Sequence, residues 1–262
     1  MRPDKRGQRM YAVFLGVAFV VGAVTLTFAA YLGMRLFFGK DAHKDKEMAA
    51  SVLTRIAALH ALIVALVFAQ EMVDYQQLRN ESATEANALA DLYNDARRYG
   101  GAEGTLISTA AQTYLIGVIE QDWPTLADER RLAPSTWASW GEAYEAVLAA
   151  TPDDARQESL RSHMLDSIHT ISEQRVKREM VGQDETSGLF WFAALAGLVF
   201  SAAAYYPYDL ERRSTLLLTI FGAFTGIILY LIYAFSAPYR PPGSLAPGAF
   251  ERLRAAIAAT DT

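Results

Sequence analysis

The chain contains no cysteine. That excludes a disulfide framework and any thiolate metal site. It also lacks a Walker loop, an HExxH pair and a GxSxG elbow, so phosphate cradling, zincin chemistry and serine hydrolysis have no motif to stand on. No run of useful length alternates polar and apolar residues, and no sheet is expected. Charge of one sign is missing too. With 24 basic against 29 acidic residues and a net charge of −5, nothing points to nucleic acid. Asp166 and His169 form a single D-x-x-H, whereas a di-iron bundle site needs two Glu-x-x-His motifs and two further carboxylates. No metal, no cofactor and no enzymatic activity are therefore expected, and His163 and His169 read as surface residues of a helix.

What is present is apolar sequence pooled into long runs. Residues 11–34, 186–208 and 214–239 carry no formal charge, and each is long enough to cross about 30 Å of hydrocarbon. A further run at 53–69 also qualifies, provided Arg55 reaches the interface with its long side chain. The first run is too long for the apolar core of a cleaved signal peptide. Trp191, Tyr205, Tyr206 and Tyr208 stand where an aromatic belt would lie. Four transmembrane helices follow: spans at about 11–34 and 53–69 in an N-terminal region 1–70 that begins with a basic tail (Arg2, Lys5, Arg6, Arg9), and spans at about 187–208 and 214–237 in a second hairpin 187–238. Residues 35–51 form a charged loop inside the first hairpin.

Between the hairpins lies an extramembrane segment, 71–186. From Ile56 to Tyr99 there is neither Gly nor Pro, so the second span is expected to run on as the first helix of that segment. Gly100, Gly101 and Gly104 end it, Pro124 ends a second segment, and Pro152-Asp153-Asp154 opens the last helix, whose Leu160, Met164, Ile168 and Ile171 make one apolar stripe. The fold class is all-α: four spans plus an antiparallel helical bundle whose outer helices continue into spans two and three. Residues 239–262 form a Pro-rich tail ending in a short amphipathic helix with Phe250, Leu253 and Ile257 on one face.

Small residues mark helix packing: Gly197 sits between Ala193 and Ser201, and Gly222 with Gly226 makes a GxxxG. His60 is the ionisable residue of the second span. It is either a functional group in the membrane or a neutral imidazole hydrogen-bonded to a neighbouring helix. Glu71, Asp74, Leu78, Glu81 and Glu85 are spaced 3, 4, 3 and 4 along the helix leaving the membrane, which keeps them on one face. That face is either solvated, with Glu81 and Glu85 offset by Arg175, Lys177 and Arg178 in exposed ion pairs, or it surrounds a pore. Candidate pore or ion-lining residues are thus Glu71, Asp74, Glu81, Glu85 and His60, and a pore so lined prefers cations.

Several landmarks occur in a characteristic order: Glu85-Ala86, Glu120-Gln121-Asp122-Trp123-Pro124, Arg212-Arg213, and Ala237-Pro238-Tyr239-Arg240-Pro241-Pro242-Gly243. In these the chain resembles the bestrophin-like domain family of bacterial membrane proteins. The resemblance implies kinship with bestrophins, pentameric anion channels with four spans per subunit, and hence a homo-oligomer in a lipid bilayer. Phe68 stands alone in the second span where bestrophins have a Phe-rich neck, and no clustered-acid calcium clasp is present, so anion selectivity does not carry over. The competing reading is a non-conducting structural or accessory subunit of a larger membrane complex. The expected location is the plasma (inner) membrane. Basic residues are denser in the short loops, which puts those loops inside and the domain with both termini outside.

Overall fold

A computed structural model describes residues 5–38, 46–183 and 187–260. Arg2 of the basic tail, Lys40 and Lys44 of the first loop, and Thr186 lie outside the described residues. All regular structure among the described residues is helical: α1 (Lys5–Phe38), α2 (Lys46–Tyr99), α3 (Gly101–Gly117), a π-helical turn (Val118–Asp122), α4 (Trp123–Glu129), α5 (Pro134–Ala149), α6 (Ala155–Gln183), α7 (Gly188–Ala203), α8 (Arg212–Phe235) and α9 (Gly248–Thr260). The 54 residues of α2 contain no helix breaker, and the helix runs through as its composition requires. The expected loop at 35–51 is shorter than foreseen, since α1 extends to Phe38 and α2 begins at Lys46.

The chain divides into two units, with α2 contributing to both. The first gathers α1, α2 up to Val73, α7 and α8. α1, α2 and α8 are each long and apolar enough to cross a membrane, while α7, with 16 residues, is short of that length by itself. Large apolar side chains such as Phe14, Leu62, Leu66, Phe192 and Phe224 face outward, as lipid-facing positions do. Inside, Val64, Phe190, Ala194, Leu229 and Ile232 form a core. Gly222 and Gly226 let α8 lie against the backbone of α1: a Cβ at Gly226 would stand 2.8 Å from the Val20 Cα and one at Gly222 3.0 Å from the Val24 Cα.

The second unit gathers α2 from Asp74, then α3 to α6, residues 238–240 and α9. Its core runs from Leu78, Leu89 and Leu92 through Ile107 and Tyr114 to Met164, Ile168 and Ile171, with Phe250 and Ile257 of α9 packed in. The tail helix thus rests on this core. α2 ends at Gly100 and Gly101, whose φ values of 79° and 66° lie in the left-handed region. Pro124 does not break the chain here. The π turn carries the helical path past Gly117, and Pro124 sits in the first turn of α4, where a missing N–H costs nothing. α6 begins with Asp154 accepting from the Gln157 amide at 2.7 Å, a side-chain N-cap.

Candidate functional site

The core stripe of α6 does not stop at Ile171. Met164, Ile168, Ile171, Arg175 and Arg178 continue at spacings of 4, 3, 4 and 3, and the two arginines are as buried as the apolar residues before them. Each is matched by a carboxylate from another element. The Arg178 guanidinium donates to both oxygens of Glu85 on α2, at 3.0 and 3.1 Å, in the fork geometry that makes such pairs strong. Its Nη2 also donates to Asp122 Oδ2 at 3.0 Å. Arg175 donates to the two Asp122 oxygens at 2.7 and 3.3 Å and to the Ala133 carbonyl at 3.2 Å. Asp122 Oδ1 accepts in addition from the Ala133 amide at 3.0 Å, and the Tyr114 hydroxyl donates to Glu85 at 2.7 Å.

Aromatic faces close the network. Arg175 lies over Tyr114 and Trp137, with its Cζ 5.7 and 5.3 Å from the ring centres. Arg178 lies over Trp123 at 5.0 Å and Phe250 at 5.8 Å. Such faces attract a desolvated cation. The tail contributes as well: the Tyr239 hydroxyl donates to the Arg178 carbonyl at 3.1 Å, and the Trp123 indole donates to the Leu245 carbonyl at 2.8 Å. Burial alone would push the Arg178 guanidinium down, but Glu85 and Asp122 outweigh it and hold it above its ordinary value. Burial pushes the Tyr114 and Tyr239 hydroxyls up, so both remain neutral donors. Two guanidinium groups and two carboxylates thus pair where bare charges are costly, while Arg175 Nε and Arg178 Nη1 are left without a hydrogen-bond partner among the described residues. The network contains no thiol or aliphatic hydroxyl nucleophile among its described members. It acts by fixing α2, α6, the π turn and the tail in one register.

This placement corrects the expected ion pairing. Arg178 does meet Glu85, but in the core rather than on an exposed face. Arg175 meets Asp122. Lys177 turns outward and pairs with Glu173 on its own helix at 2.6 Å. The reason is the α6 periodicity, which puts 175 and 178 on the apolar face and 177 off it. Asp122 escaped the sequence reading although it lay inside a quoted landmark. The signal was there: an acid between Val118 and Trp123, both apolar and both buried.

Among the other sequence candidates, Glu81 is buried, with Oε1 accepting from the Gln77 amide at 2.8 Å. Glu85 is fully buried in the network just described. The acidic stripe therefore turns inward from Leu78 on, which leaves Glu71 and Asp74, both half-buried, as its outward part. His60 packs against Gly197. His169 meets the edge of Tyr144, and His163 pairs with Asp95. No group of three or more metal-ligating side chains is found among the described residues.

Apolar helices facing outward around a small-residue seam, in a chain whose other unit has its own helical core, define a helical membrane protein. The bestrophin-like domain model matches residues 17–248, and the chain belongs to that family. No curated relative matches it in sequence. Among solved structures, two variants of a bacterial bestrophin homologue from Klebsiella pneumoniae share its fold. Each is 11% identical over 92% of this chain and 96% of theirs, with TM-scores of 0.67 and 0.64. A further membrane-protein variant is 13% identical over 94% of this chain and 97% of its own, with a TM-score of 0.67.

Proposed function

We propose that the protein is a homo-oligomeric bestrophin-type ion channel that prefers cations. Family membership over residues 17–248 carries this reading, since bestrophins are channels built from several copies of one subunit. α7, with residues 187 and 204–208, is the third of four spans and completes the second hairpin with α8. Glu71 and Asp74 directly follow the uncharged run 56–70 of α2, so each subunit brings two carboxylates, one helical turn apart, to the membrane mouth. Rings of carboxylates concentrate cations and exclude anions. Glu81 and Glu85 take no part in that lining, being held in the core.

The test is a planar-bilayer recording of the purified protein under a salt gradient, wild type beside Glu71→Gln/Asp74→Asn. The expected reversal potential lies on the cation side and moves toward zero in the double variant. A potential on the anion side, or one unmoved by the substitutions, rejects the ring.

A further inference from the structure

His60 is buried in the membrane unit, and its Nδ1 has no hydrogen-bond partner among the described residues. The ring lies directly on α7 at Gly197. A Cβ built there would fall 2.2 Å from Nδ1 and 2.8 Å from Cγ, so the imidazole occupies the space that any other residue would fill. One turn along the same face of α7, the Ser201 hydroxyl is also buried without a partner among the described residues. Sequence reading allowed a neutral imidazole satisfied by a neighbouring helix. The structure seats the imidazole on the α7 backbone with Nδ1 unmet among the described residues.

The described apolar stretches of this unit bring no carboxylate to balance a charge. α7 has no Asp, Glu, Lys or Arg, nor do residues 11–34 of α1 or 214–235 of α8, whose titratable groups are tyrosines. On α2 itself the nearest charged residues are Arg55 and Glu71, five positions before and eleven after. The imidazolium would carry an unmet N–H at Nδ1 and an uncompensated charge at a van der Waals contact between two helices, and each is costly away from water. Moving the ring off Gly197 relieves both.

We infer that the His60–Gly197 contact is a proton-sensitive joint: protonation of the imidazole separates α2 from α7. The inference does not depend on conduction, and its test does not measure any. Because the chain has no cysteine, Ser201→Cys introduces a lone thiol into the closed face. Maleimide labelling in native membrane vesicles is followed at about pH 5.5 and about pH 7.5, with Ser201→Cys/His60→Phe treated alongside to cancel the intrinsic pH dependence of the thiol. The labelling rate, relative to that control, is expected to rise about tenfold on acidification. A ratio that stays the same at both pH values overturns the joint.

A second measurement uses the unaltered chain, in case the cysteine variant does not accumulate. Ring-¹⁵N histidine spectra are recorded in bilayers, with the His60 signal assigned by its loss in His60→Gln. Titration of that signal accompanied by backbone shifts at Gly197 supports the joint. A signal that does not titrate, or one that titrates while Gly197 stays fixed, overturns it.

Discussion

Removing the Arg178 side chain would leave Glu85 without its cation and Asp122 with one guanidinium in place of two, all in a core that excludes water. Breaking one member of such a set costs about 3–5 kcal/mol, because a buried charge is left uncompensated. Arg178→Met is therefore expected to lower the unfolding free energy of the purified protein by that order, read from denaturant unfolding. Arg178→Met/Glu85→Gln should recover part of the loss, since Arg175 still pairs with Asp122, so the two substitutions are strongly non-additive. Additive losses would mean the network is not coupled. A weaker and opposite kind of pair joins His163 to Asp95. The hydrogen bond to Asp95 raises the His163 imidazole above its usual value, against a small opposing effect of burial. A raised folded pKa gives stability that is fully present below about pH 6.5 and lost as pH rises through the folded value. Since the His163 side chain is 59% exposed, the effect is a few tenths of a kcal/mol. His163→Gln should flatten the slope of the melting midpoint as pH rises above about 6.5, and an unchanged slope would assign that dependence elsewhere.

α6 shows how an element can be read correctly and still be misjudged. Its apolar stripe was legible from Leu160 to Ile171, but charge alone suggested that the stripe ended and a solvated face began. The period of the helix overrides that expectation: positions 175 and 178 fall on the buried side whatever occupies them. The same error affected α2, where Glu81 and Glu85 follow Leu78 inward. The apolar runs and the helical course of α2 were plain in the sequence, because span length and the absence of breakers are local properties. The partner of Arg175 was not, because Asp122 reaches it through a π turn that has no clear sequence signature. The GxxxG of α8 was visible only as a common pattern, and the structure gives it a partner. A side chain at Gly226 meets the α1 backbone at 2.8 Å, so Gly226→Leu should destabilise the α1–α8 pair by at least about 1–3 kcal/mol. Gly33→Ala is the control, since a Cβ there meets nothing within 4 Å and should leave stability unchanged or raise it by up to about 1 kcal/mol. Equal thermal midpoints for the two variants in detergent would deny the seam its role.

A single copy of this chain cannot surround a pathway: Glu71 and Asp74 lie on one helix and define a line, not a ring. Conduction through them requires rotation-related copies. A head-to-tail interface does that without forming filaments only if the rotation closes. Large apolar residues remain outward on α1, α2 and α8, and in a bilayer such faces serve lipid or a neighbouring subunit equally well, so burial within one chain does not decide the copy number. Mass does. A bestrophin-type assembly of five copies of 28.9 kDa predicts a particle of about 145 kDa with cyclic symmetry, whereas an accessory subunit predicts one copy beside foreign chains. Native mass measurement of the particle extracted with its lipid separates the two. Five identical copies would support the ring and justify the bilayer recording. One copy, alone or bound to other proteins, would remove the geometric basis for carboxylates around an axis and leave the accessory role standing, while the buried Arg178 network would keep its part in holding α2, α6 and the π turn together in either case.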